Sequence, residues 1–128
     1  MNNPYETYKQ QSVKTMTAAE MLLMLYDGLL KELNLGLAAF ETKDFGEINR
    51  ALQKSQKIVN YLIASLDFKY EIANNLEALY DYFNSVIIEA NVKKVSDHLS
   101  DVIDMIAELR DAYAQAAKTV KIEEASRE

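Results

Sequence analysis

The sequence predicts an all-α protein, an antiparallel up-down-up-down four-helix bundle preceded by an extended N-terminal tail. Three observations predict it. The 128 residues include only three glycines and one proline, far below the roughly 12% that average chains hold in these two types. A β-sandwich or a doubly wound sheet needs many more turn residues than that. Apolar residues recur at alternating spacings of four and three in four successive segments, the period of a helix with one buried stripe. The breaks between the segments are about three to five residues, too short to run back along a helix, so consecutive helices must be antiparallel neighbours. A chain of this length makes one domain.

Residues 1–16 carry the one proline together with Tyr5, Tyr8 and Val13 and show no helical period, so they read as a tail with apolar handles. The bundle then spans 17–119. Thr17-Ala18-Ala19-Glu20 has the form of a reciprocal capping box, and the first helix runs from it through Leu22, Leu25, Leu29, Leu33 and Gly36 to about Phe40. Asp44-Phe45-Gly46-Glu47 repeats the cap-and-acid pattern and opens a second helix, with Ile48, Leu52, Ser55, Val59, Leu62 and Leu66 facing inward. After the break Asp67–Tyr70, a third helix places Ile72, Leu76, Leu79, Phe83, Val86 and Ala90 inward. Ser96 is the expected cap of a fourth, whose stripe is Val95, Leu99, Val102, Ile106, Leu109, Tyr113, Ala116 and Val120. Residues 120–128 are charged and expected to fray.

Composition narrows the chemistry. Without cysteine there are no disulfides, zinc ribbons or thiol chemistry. Net charge is −6, which opposes the basic field that nucleic-acid binding needs. No stretch approaches the roughly 18 apolar residues of a membrane span, and the N-terminus has neither the basic nor the apolar region of a secretory leader, so the expected compartment is the cytoplasm. A di-metal bundle site needs two Glu-x-x-His motifs; the one histidine, His98, follows Val95 at that spacing, so the motif cannot be built. Gly28, Gly36 and Gly46 are isolated and form no phosphate loop. No serine has a predicted histidine partner. The expectation is therefore a non-enzyme without cofactor or metal.

Two surface features remain. Asp97, Asp101, Asp104, Glu108 and Asp111 form an acidic stripe on the fourth helix, about 200° from its apolar stripe, and read as a solvated face. More informative is a surplus of apolar residues, because a bundle helix needs only about three inward positions in seven. Met21, Met24 and Tyr26 exceed that need on the first helix, as do Ile58, Tyr61 and Ile63 on the second. Tyr80, Tyr82, Ile87 and Ile88 do so on the third, and Ile103 and Met105 on the fourth. They either fatten the core or line grooves for a partner's amphipathic helices, a use that suits shape-adapting Met and amphipathic Tyr. Periodicity alone does not choose. As groove residues outside the core stripes, Tyr61, Ile63, Tyr80, Ile87, Ile103 and Met105 are the candidates.

Particular residues carry a resemblance. Asn3-Pro4-Tyr5, Tyr8, Ser12-Val13, Thr15 and then Leu22-Leu23-Met24-Leu25-Tyr26-Asp27-Gly28 resemble the opening of the flagellar export chaperone (FliS) family. The likeness continues through Ala51–Ile58, the Leu66-Asp67 turn, Asn75-Leu76, Leu79–Phe83, Glu89-Ala90-Asn91 and Leu109–Tyr113, in order and at family spacing. Departures are small: Phe83 stands where Met is frequent, Tyr113 where Trp is, and Ala18 where Pro is common. The turn Asp67–Tyr70 lacks the glycine pair of many members. The resemblance implies a four-helix bundle that binds the disordered C-terminal segment of newly made flagellin, prevents premature polymerisation and delivers the subunit to the flagellar type III export apparatus. It also implies other flagellar regulators as partners, and a tail that covers part of the groove through Tyr5, Tyr8 and Val13. The competing reading is a generic helical adaptor for amphipathic helices of another partner.

Overall fold

Side-chain caps start the first two helices of the computed structural model, which describes residues 16–127. Thr17 Oγ1 accepts the Glu20 N–H at 3.1 Å and opens α1 (Ala18–Glu41). Asp44 Oδ1 accepts the Glu47 N–H at 3.2 Å and opens α2 (Phe45–Ala64). Each bond satisfies one of the amides that a helix start leaves without an intrahelical partner. The corner to α3 (Ile72–Lys93) closes without glycine. Lys69 N–H donates to Asp67 Oδ1 at 3.0 Å and Tyr70 N–H to Asp67 O at 3.1 Å, a side-chain-stabilised turn with no positive φ. Lys94 ends α3 in the left-handed region, with φ 54°. α4 (Leu99–Arg127) begins three residues after Ser96, whose carbonyl accepts the Leu99 N–H at 3.1 Å, and continues past residue 119.

The helices pack as a ring, α1 on α2, α2 on α3, α3 on α4 and α4 on α1, with α3 and α4 approaching least closely. That is the predicted up-down-up-down four-helix bundle. The antiparallel order gathers the start of α1, the α2–α3 corner and the far half of α4 at one end. Among the described residues no helix is long and apolar enough to cross a membrane.

The core follows the predicted stripes closely on two helices. Leu29, Leu33 and Gly36 of α1 and Ile48, Leu52, Ser55, Val59 and Leu62 of α2 are buried. Ser55 enters the apolar interior because its Oγ donates to Ala51 O at 2.8 Å. A Cβ on Gly36 would lie 3.1 Å from Leu52 Cδ2 and 3.4 Å from Ala51 Cβ, so glycine lets α1 and α2 approach closely. On α4, Leu99, Val102 and Ile106 are buried and Leu109 and Tyr113 half-buried, whereas Ala116 and Val120 are exposed; Val95, expected in this stripe, lies exposed in the connection before the helix.

The register of α3 differs from expectation. Its buried positions include Ala73, Tyr80, Phe83, Ile87 and Ala90, with Leu76 and Leu79 half-buried and Ile72 exposed. Tyr80 and Ile87, expected outside the core, are 1% and 0% exposed and belong to it. Their burial has a polar counterpart across the bundle: the Tyr80 and Tyr26 hydroxyls are hydrogen-bonded at 2.5 Å. Burial raises both phenols above the ordinary tyrosine value, Tyr26 strongly because the Tyr80 hydroxyl adds to the effect. Ionising either would strand a charge in the core.

Candidate functional site

With the core complete, the apolar side chains left on the surface define the candidate site. A groove of about 590 Å³ lies between the first half of α1 and the last half of α4. Leu22 and Leu23 line one wall, and Tyr113, Ala116, Ala117 and Val120 the other. Small residues at 114, 116 and 117 leave α4 too thin to fill the space beside α1. Tyr113 closes the floor by stacking on buried Tyr26, with centroids 5.9 Å apart and planes at 29°. Arg110 Nε donates to Asp27 Oδ1 at 2.9 Å and ties the same two helices together just below. That bond raises the guanidinium's affinity for its proton.

A second exposed set lies at the same end of the bundle. Tyr61 on α2, Phe68 and Tyr70 in the corner, and Ile72 at the start of α3 all present large apolar surface. The Lys69 ammonium sits 5.2 Å from the Tyr70 ring centroid. At the opposite end, a smaller cleft of about 220 Å³ lies between the last turns of α3 and the connection to α4, bordered by Val86, Ala90, Val95 and His98. The Glu89–Lys93 ion pair, 3.0 Å, stands at its rim, and Val92, 77% exposed, lies nearby in sequence on α3.

The candidates read from periodicity divide three ways. Tyr61 (54% exposed) and Met105 (37%) are surface residues. Ile63 and Ile103 are half-buried and pack against the core. Tyr80 and Ile87 are interior and do not face a partner. Tyr5, Tyr8 and Val13 lie outside the described residues. The α1–α4 groove has no counterpart among those expectations; the sequence signal that marks it is the alanine run 112, 114, 116 and 117 beside a leucine pair.

No catalytic constellation emerges among the described residues. His98 is exposed, with Nδ1 3.9 Å from Asp101 Oδ2, and the acidic residues 97, 101, 104, 108 and 111 all face solvent. No group of three or more potential metal ligands comes together among those residues. What the arrangement can do is hold apolar segments of another polypeptide along a surface separate from the core.

A helical bundle with apolar grooves outside its core is a scaffold suited to binding polypeptide, and comparison with known proteins says which family it belongs to. A family model described as flagellar protein FliS matches residues 1–120. The flagellar secretion chaperone FliS of Bacillus subtilis is 36% identical over 119 residues, covering 93% of this chain and 90% of that protein. The corresponding chaperone of Vibrio cholerae is 31% identical, covering 90% and 89%. A solved structure titled as a flagellar chaperone from bacteria superposes with a TM-score of 0.76 at 19% identity, covering 90% of this chain and 95% of that one, which bears on the fold. This chain belongs to the FliS family of flagellar secretion chaperones.

Proposed function

We propose that this protein binds the disordered C-terminal segment of flagellin in the cytoplasm, keeps it from polymerising early and presents it to the flagellar type III export apparatus. The observation that carries the reading is the apolar surface outside a complete core, above all the groove between α1 and α4. A disordered segment loses conformational freedom on binding, at a cost of about 2–5 kcal/mol or more. Offsetting that takes apolar contact spread over a long path. The groove and the exposed aromatic corner share one end of the bundle and offer two stations on such a path. The proposed contacts are Leu23 and Val120 in the groove, Tyr61 and Met105 outside it, and the exposed edges of Ile63 and Ile103. Binding energy alone drives capture, so the reading assigns no catalysis and no cofactor. Other flagellar regulators would compete for, or add to, the same surface.

The tail fits this scheme as an internal competitor. Thr17 lines the groove and continues directly from residues 1–16, so Tyr5, Tyr8 and Val13 are tethered beside it and act at high effective concentration. Calorimetric titration with the flagellin C-terminal segment and with a scrambled segment of equal composition tests the whole reading. Saturable binding of the first alone is expected. Equal binding of both would leave a generic helical adaptor.

A further inference from the structure

We propose that the outer seam between α2 and α3 is a second binding site, built from carboxamide side chains, for the backbone of an extended polypeptide. This rests on the reading above, in which the bound segment is disordered when free and is held along a path over the bundle surface.

The seam is bridged twice by asparagine pairs. Asn84 Nδ2 donates to Asn60 Oδ1 at 2.8 Å, and Asn91 Nδ2 donates to Asn49 Oδ1 at 3.0 Å. Residues 49, 53, 56 and 60 recur at helical spacing along one strip of α2, and all four are amides: Asn, Gln, Gln and Asn. On the facing strip of α3, Ile88 stands exposed between Asn84 and Asn91. Asparagine is a poor helix former, yet beyond the first turn of each helix every asparagine of α2 and α3 lies on this seam.

The bridges use only part of each group. The Asn49 and Asn60 amide nitrogens donate to nothing among the described residues, and Gln53 and Gln56 have no partner there. Asn84 Oδ1 accepts nothing either, but it is shielded from solvent and so lies behind the face that a ligand would meet. Pairing with the neighbouring helix fixes the asparagine amides in place, so a ligand need not order them.

Carboxamides suit a backbone ligand. Each has a donor and an acceptor, the same pair that a peptide group presents, and neither depends on the ligand's side chains or on charge. The strip from 49 to 60 is about 16 Å long, which matches about five residues of extended chain. Same-side peptide groups of such a chain recur about every 6.6 Å, while successive amides on the strip stand about 4.5–6 Å apart, so the strip offers an amide to each same-side group without a fixed one-to-one register. Recognition through main-chain hydrogen bonds is the logic of strand addition, supplied here by side chains on helices. Ile88 would give the chain one apolar foothold.

Two variants of the full-length protein test this by titration with the flagellin C-terminal segment, each checked by a thermal melt. Asn49→Asp with Asn60→Asp keeps the oxygens that accept from Asn91 and Asn84 but removes the outward donors. Gln53→Met with Gln56→Met removes donors and acceptors without changing charge. Both should melt near the wild-type temperature and bind about ten-fold more weakly. The loss should persist at high salt, where a charge effect of the aspartates fades. Single ester-for-amide replacements along the segment should weaken wild-type binding at several positions. If wild type binds while both variants match it, or if every ester is neutral, the amide seam is only a helix clamp and this proposal is wrong. If wild type itself fails to bind the segment, the flagellin reading has failed instead.

Discussion

Gly28 and Gly36 lie on the same helix, yet the space around them predicts opposite responses to alanine. A Cβ on Gly28 would meet Ile58 Cδ1 at 3.8 Å, an ordinary contact. Gly28→Ala should therefore stabilise α1 by up to about 1 kcal/mol, the helix-propensity difference. At Gly36 the same atom would press on buried Leu52, so Gly36→Ala should lose about 1 kcal/mol or more through overpacking. Urea midpoints of the two variants check both signs. The buried tyrosines give a pH dependence. Unfolded, Tyr26 and Tyr80 ionise near about pH 10; folded, burial holds both phenols protonated to higher pH. Their contribution is complete below about pH 9 and falls as pH rises through and beyond about 10, where the unfolded chain holds fewer protons than the folded one. Melting temperature followed from neutral to strongly alkaline pH should drop over that window, and less steeply for Tyr26→Phe. A flat profile would mean that the hydroxyl pair is open to water.

At the scale of the helices, Thr17 and Asp44 were legible because a cap announces itself by residue type and by the acid three positions on. Thr17→Ala should cost about 1 kcal/mol, read in the same urea series. Although Ile58-Val59 and Leu62-Ile63 are adjacent apolar pairs, the α2 stripe was legible in its first half, where Asn49, Arg50, Gln53, Lys54, Gln56 and Lys57 stand among its inward positions. The α3 stripe was not. Ile72-Ala73, Leu79-Tyr80 and Val86-Ile87 are adjacent apolar pairs, so the stripe 72-76-79-83-86-90 and the stripe 73-76-80-83-87-90 satisfy the same period and share 76, 83 and 90. Burial favours the second phase, with Val86 also largely inside. Only the neighbouring helices decide it, through contacts such as Tyr26 with Tyr80, and that information is not local. This is why Tyr80 and Ile87 read as surface candidates and proved to be core. The groove escaped notice for the converse reason: it is made by what α4 lacks, and alanines carry little weight in an apolar count. At the turns, Lys43 and Lys94 occupy the left-handed region with φ of 56° and 54°. Lys43 is exposed, so Lys43→Gly should relieve about 1 kcal/mol of backbone strain, visible as a higher melting temperature.

For the whole molecule, the proposed function has folding and binding draw on different apolar residues. The core closes with Tyr80, Phe83 and Ile87 inside, while Leu23, Val120 and Tyr61 are assigned to the partner by that proposal. Deleting residues 1–14 should leave the melt nearly unchanged and raise the on-rate of the flagellin segment; unchanged association would reject the tail as a cover. The separation itself is tested most directly by measuring segment affinity and thermal stability together on wild type, Tyr61→Ala, Leu23→Ala and Tyr80→Ala. Truncating exposed Tyr61 should cost the complex about 1–3 kcal/mol and the free bundle about 0.5 kcal/mol or less, and truncating half-buried Leu23 should likewise cost the complex more than the fold. Tyr80→Ala should instead cost the fold about 3–5 kcal/mol. If Tyr61→Ala and Leu23→Ala weaken the fold as much as the complex, or leave affinity untouched while wild type binds, the apolar surface outside the core is not where the segment docks.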